Sequence, residues 1–143
     1  MFIKQLSIFV ENKKGGLAEI LNEIGKGGID ICALSLADTT DFGILRMIVD
    51  NAEKAEQILT DHGIVVKINQ VLGLAVNDTP GGLAGALAAL NAGDVAIEYM
   101  YAFVGESDSH AKVVLRTDDN AKALDTLKAA GALILTEADI RKK

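Results

Sequence analysis

Val10-Glu11-Asn12-Lys13-Lys14-Gly15-Gly16-Leu17-Ala18 joins an alternating apolar run to a helix-like run through paired glycines. The same device recurs as Val76-Asn77-Asp78-Thr79-Pro80-Gly81-Gly82-Leu83-Ala84, at a constant offset of 66 residues. The chain therefore reads as one unit written twice, each copy opening with a strand, a Gly-Gly turn and a helix.

Working outward from the first turn, Phe2 to Val10 alternates with a period of two, which predicts a strand. Leu17, Ile20, Leu21 and Ile24 follow at i, i+3, i+4 and i+7, the apolar stripe of a helix. Gly25, Gly27 and Gly28 are expected to end it. Ile29 to Asp38 and Gly43 to Asp50 read as a hairpin around Thr39-Thr40-Asp41, with Ile29, Ile31 and Ala33 sharing one strand face. Ala52 to His62 reads as a helix with Ala55, Ile58, Leu59 and His62 inward, capped by Gly63, and Ile64 to Ile68 as a fourth strand.

The second copy repeats this order. Gln70 to Val76 is its first strand, and Leu83, Ala86, Leu87 and Leu90 line its first helix, which Gly93 ends. Val95 to Phe103 and Ala111 to Thr117 form its hairpin around Gly105 to Ser109. Asn120 to Ala130 is its second helix, and Ala132 to Glu137 its closing strand. Beyond the hairpin the offset becomes 68, as in Asp50 and Asp118 or Gly63 and Gly131, so two residues were added in a turn, where insertions cost least. The expected fold is α+β: two tandem ferredoxin-like βαββαβ units, 1–69 and 70–143, each with an antiparallel sheet and its helices on one face. Each copy is small enough to bury little alone, so an intramolecular pseudo-dimer is expected.

Composition narrows the function. Half of the 143 residues are hydrophobic but only 4% are aromatic, so the interior must be aliphatic. Fourteen basic against 20 acidic residues give a formal charge of −6 without a basic stripe, which excludes the usual electrostatics of nucleic-acid and anionic-membrane binding. A lone cysteine, Cys32, forms no internal disulfide and reads as a small buried apolar residue. The first residues lack a signal-peptide pattern and no apolar run reaches about 18 residues, so a soluble cytoplasmic protein is expected.

On the two glycine stretches the sequence resembles the ACT domain family, the small β-α-β-β-α-β modules that sense amino acids in metabolic enzymes. The likeness rests on V-E-N-K-x-G-x-L-A at Val10 to Ala18 and V-N-D-x-P-G-x-L-A at Val76 to Ala84, and it extends over essentially the whole chain. The family usually has Pro before the first turn glycine; Pro80 fits and Lys14 departs. The resemblance implies a free-standing tandem of regulatory modules, in which a free amino acid sits where the strand-to-helix turn of one domain faces the sheet of its neighbour.

The residues themselves lead to a similar place. A helix N-terminus offers unpaired N–H groups and partial positive charge, paired glycines admit close approach, and a carboxylate is a natural occupant. Asn12 and Asp78, four residues before the second glycine of each turn, carry oxygens that accept from an ammonium group. The expected ligand residues are Asn12, Lys14, Gly15, Gly16 and Leu17 in the first turn, and Asp78, Thr79, Pro80, Gly81, Gly82 and Leu83 in the second. Ile31, Ala33 and Ser35, or Ile97, Tyr99 and Tyr101, are expected to meet the ligand's side chain from a partner strand. The plainer alternative is that Asn12 and Asp78 cap helices and that Gly-Gly is only a tight turn; the recurrence of the whole constellation favours binding.

No catalytic, metal-binding or cofactor-binding set is recognisable. Gly25-Lys26-Gly27-Gly28 lacks phosphate-loop spacing, and His62 and His110 are far apart. The leading expectation is a non-catalytic amino-acid sensor, as a homodimer with a metabolic enzyme as a further partner. The alternative is a regulatory subunit of a separate amino-acid biosynthetic enzyme. A small ferredoxin-like enzyme or an RNA binder fits less well, for want of a titratable cluster or of basic and aromatic residues together on a sheet.

Overall fold

The computed structural model describes residues 2–11, 14–38, 42–104 and 110–141; Asn12 and the two expected hairpin turns lie outside them. The elements are β1 (Ile3–Glu11), α1 (Gly16–Lys26), β2 (Ile31–Asp38), β3 (Phe42–Val49), α2 (Ala52–Asp61), β4 (Val66–Asn77), α3 (Gly82–Ala92), β5 (Ile97–Ala102), β6 (His110–Thr117), α4 (Asn120–Ala129), β7 (Leu133–Leu135) and α5 (Glu137–Arg141). The fold is α+β and follows the βαββαβ order twice. Two compact units divide within β4: Lys4–Gln70 joined by the chain from Ile140, and Val71–Asp139 joined by the chain up to Ile3.

In the first unit the strands run β2-β3-β1 and on to the start of β4. β1 and β3 are antiparallel, with Leu6 opposite Met47 and Ile8 opposite Leu45, and the Phe9 N–H donates to the Val65 carbonyl at 3.2 Å. Leu6, Ile8, Val10, Leu45, Met47 and Val49 form the apolar sheet face. Onto it α1 lays Ile20 and Ile24, and α2 lays Ala52, Ala55 and Leu59, each on a helical repeat. The second unit orders its strands β5-β6-β4, with β7 on the other side of β4, all pairs antiparallel. Its core joins Leu72, Leu74, Val113 and Leu115 to Leu90, Ala123 and Leu127.

The duplication reaches individual hydrogen bonds. Asn51 and Asp119 cap α2 and α4 by accepting from the Lys54 and Lys122 N–H groups at 3.1 and 3.0 Å. Asp50 Oδ1 accepts from the Asp30 N–H at 3.0 Å, and Asp118 Oδ1 from the Ala96 N–H at 3.1 Å. Each of these carboxylates ties the end of one hairpin strand to the entrance of the other. Gly63 and Gly131 both leave their helices with positive φ, 73° and 81°.

Five local expectations are corrected. Gly25 lies inside α1; the left-handed residue after the helix is Gly28 (φ 72°), and in the second copy it is Asp94 (φ 60°). The two strands expected at Ile64–Ile68 and Gln70–Val76 are one, because polar Asn69 has a partner within the sheet: the Ser7 hydroxyl donates to Asn69 Oδ1 at 2.7 Å. His62 is exposed rather than inward, since α2 ends at Asp61; its Nδ1 meets the Ile58 carbonyl at 2.8 Å and its Nε2 meets Glu23 Oε2 at 2.9 Å. The final strand stops at Leu135, because Thr136 and Asp139 open α5: the Thr136 N–H and hydroxyl both donate to Asp139 Oδ2, at 2.7 and 3.0 Å. Finally, β2 and β5 each carry a register shift, between Ile31 and Ala33 and between Ile97 and Tyr99. The extra residue breaks the alternation, so Ile31 and Leu34 pack against the helix-side core and Ile31 and Ala33 do not share a face.

Candidate ligand-binding turns

Each turn owes its shape to its two glycines. Gly15 and Gly81 are the N-cap residues of α1 and α3, both left-handed at φ 86° and ψ −6°. A side chain there is strained, and neither position has a side-chain cap. The Gly82 N–H donates to the Thr79 carbonyl at 3.0 Å, and the Gly85 N–H to the Gly81 carbonyl at 2.9 Å. A Cβ on Gly82 would stand 2.1 Å from the Asn77 carbonyl oxygen, so the chain closes on itself there with room only for hydrogen. In the first turn the Glu19 N–H donates to the Gly15 carbonyl at 3.0 Å, and Gly16 is buried.

No side chain caps α3, so Asp78 is not its cap; it is exposed beside the turn. The two N-termini differ electrostatically. Glu19 lies in the first turn of α1 and offsets its dipole, whereas α3 has no acidic residue in its first turn.

The sequence-predicted residues fall into distinct settings. Lys14, Gly15, Asp78, Thr79, Pro80 and Gly81 are exposed along the turns. Leu17 and Leu83 face inward and pack against the two helix-side cores, as do Ile31 and Ile97. Ala33 is buried opposite Ile48, and Ser35 is half-buried opposite Arg46. Tyr99 and Tyr101 stack at 6.5 Å between ring centroids, with Tyr99 opposite Arg116 and Tyr101 opposite Val114. The turn residues thus converge by chain continuity, while the bulges send Ile31 and Ile97 to their cores.

The sequence reading missed a cavity of ≈ 410 Å³ within the first unit. Phe9, Val10 and Glu11 line it from β1, Gly16, Glu19 and Ile20 from α1, Phe42 from β3, and His62 to Val65 from the segment leading into β4. Of the expected ligand residues only Gly16 is among them. Phe9 and Phe42 form an edge-to-face pair at 5.4 Å and 67°, both more than a third exposed. The available signal was Phe9 itself, a large ring on the outward phase of an alternating strand. Among the described residues no cluster of three or more His, Cys, Asp or Glu side chains is placed to hold a metal ion, and no helix is long and apolar enough to cross a membrane.

The family described as "ACT domain pair" matches residues 1–142. Protein BT0572 from Bacteroides thetaiotaomicron has a similar structure, 40% identical, with a TM-score of 0.93 over 100% of this chain and 98% of that one. The regulatory subunit of aspartate kinase from Thermus thermophilus, in a ligand-free form, shares the fold at 16% identity and TM-score 0.63, over 89% and 91% of the two chains. The regulatory subunit of aspartate kinase from Thermus flavus does so at 14% identity and TM-score 0.55, over 90% and 92%. No curated protein matches the chain.

Proposed function

The chain belongs to the ACT domain pair family, and from that premise we propose that it is a non-catalytic regulatory protein that binds a free amino acid at its strand–Gly-Gly–helix turns. One observation carries the reading: both helices begin at a left-handed glycine with no side-chain cap, in identical backbone geometry. The ligand carboxylate is received by N–H groups of a helix start. The ammonium group is received by Asp78 at the second turn and by Asn12 at the first. The second turn is the stronger carboxylate site, because no acidic residue in the first turn of α3 competes with it. Such a protein acts as a cytoplasmic homodimer, and its ligand shifts an equilibrium only by binding one arrangement better than another.

The test is thermal unfolding of the purified chain against each proteinogenic amino acid at millimolar concentration. A native-state ligand present at about 100 times its Kd adds about 2.7 kcal/mol. Asp78→Ala and Lys14→Ala are suitable turn variants because both side chains are exposed. A stabilising shift with one amino acid, reduced in Asp78→Ala, is the expected result. The absence of a shift with every amino acid sinks the sensor reading. A second reading, a regulatory subunit of a separate biosynthetic enzyme, comes from the fold shared with the aspartate kinase regulatory subunits; an enzyme that co-purifies with the chain in stoichiometric amount is its expected signature.

A further inference from the structure

We infer that the first unit binds a second copy of the chain, about a two-fold axis, through the sheet face that points away from α1 and α2. Leu6, Ile8 and Val10 of β1 and Leu45 and Met47 of β3 pack on the helix side. Alternation therefore sends Ser7, Phe9, Glu11, Phe42, Ile44 and Arg46 to the other side. The Phe9–Val65 hydrogen bond puts Val65 beside Phe9, and Lys67, two residues on, beside Ser7. Lys67 shares the phase of Asn69, which accepts from the Ser7 hydroxyl, whereas Val66 and Ile68 pack toward the helix-side core.

The register sorts this face into rows. Arg46, Ser7 and Lys67 form a basic row; Ile44, Phe9 and Val65 form an apolar row; Phe42 and Glu11 form a third. Beyond the basic row Gln5, Ala33 and Ile48 are buried, so the open part of the face starts at Arg46. Phe9, Phe42 and Val65 are 39%, 37% and 59% exposed, half of the exposed large apolar side chains among the described residues. Apolar side chains gathered in this way mark an interface. The order of charge selects its occupant. Cations flank the apolar row on one side and a carboxylate flanks it on the other, which makes the face complementary to itself. A two-fold axis laid along the apolar row sets each basic row over the third row of the other copy. Glu11 then meets the partner's Ser7, between the partner's Arg46 and the partner's Lys67, and the Phe42 ring lies under the partner's Arg46. Phe9, Ile44 and Val65 pack against their own counterparts.

The duplicated chain supplies an internal control. At the offsets of 66 and 68, Phe9 is replaced by Ala75, Glu11 by Asn77, Ile44 by Lys112 and Arg46 by Val114. The second unit repeats the strands without the opposed charges, so each chain has one such face and the assembly closes at two copies. Phe9, Glu11, Phe42 and Val65 also border the cavity at the first turn, so the second copy stands beside that turn. The inference rests on the homodimer of the proposed function, names its face, and requires no bound amino acid.

The experiment is sedimentation equilibrium of the full chain without added amino acid, joined to carbodiimide cross-linking of an equal mixture of isotope-labelled and unlabelled chains. The expected result is a dimer in which Glu11 of one copy is cross-linked to Lys67 of the other, read from peptide pairs that combine the two labels. Glu11→Lys and Val65→Asp change exposed side chains, and each, with a dispersed native spectrum, is expected to weaken the dimer at least about tenfold. Adding Lys67→Glu to Glu11→Lys is expected to tighten it again at least about threefold, because opposite charges then face each other across the axis. A chain that sediments as a monomer at every concentration overturns both this face and the homodimer reading. A dimer that Glu11→Lys and Val65→Asp leave unchanged overturns this face alone. So does a dimer without the Glu11–Lys67 cross-link between copies, or a charge-swapped variant no tighter than Glu11→Lys.

Discussion

At the scale of single residues, the glycines of the second turn are not interchangeable, and their differences are measurable. Gly85 is exposed within α3 with open space around it, so Gly85→Ala stabilises by about 0.5–1 kcal/mol through helix propensity and chain entropy. Gly81→Ala forces an alanine into the left-handed region and costs about 1–2 kcal/mol. Gly82→Ala sets a methyl group against the Asn77 carbonyl and costs about 3 kcal/mol. Urea unfolding midpoints of the three variants should fall in that order; equal midpoints would show that the turn relaxes freely. The Gly-Gly repeat itself was legible, because few other residues adopt such backbone angles. His62 was not, because its position continues the apolar stripe of α2 while the helix ends one residue earlier, which leaves the imidazole to meet the Ile58 carbonyl and Glu23 outside the core.

At the scale of elements, hydrophobic period located β1, α1, α2, α4 and the hairpins, because each places one apolar face on one core. It failed where local hydrogen bonding overrides the period. The bulges in β2 and β5 insert a single residue into strands whose sequence still looks alternating. Helix α5 hides in five residues and declares itself only through Thr136 and Asp139, a capping arrangement readable from T-x-x-D. Asp139→Ala removes the acceptor of two hydrogen bonds and should cost about 1 kcal/mol, checked by denaturant unfolding. The matched core positions Leu59 and Leu127, both fully buried, are each predicted to cost about 2–5 kcal/mol on truncation to Ala. A loss below about 1 kcal/mol at either would mean that its helix is not anchored as described. The cavity was invisible at this scale, since its wall draws on β1, α1, β3 and the segment before β4, and no period in the sequence joins those four.

At the scale of the molecule, the repeat was the most legible feature of the chain, and the way its two copies share β4 was the least. Offsets of 66 and 68 are readable by eye. That Ile3 falls with the second unit, its Cδ1 reaching the space over Gly73, and that Ile140 falls with the first, is not readable, because it depends on contacts far apart in sequence. Fragments 1–70 and 71–143 each lose one of those end segments and part of β4. Expressed separately, neither is expected to give a dispersed amide spectrum; a well-dispersed spectrum from either half alone would contradict this division.

The unbroken β4 also has a consequence for the protein's turnover. Digestion of a tandem protein ordinarily begins at the linker, where the backbone can leave the fold and enter a protease cleft. Here residues 69–71 lie within a strand, so the seam between the copies offers no such entry point. Limited proteolysis of the folded chain is therefore expected to leave residues 69–71 uncut, and a stable product cleaved at that point would contradict it.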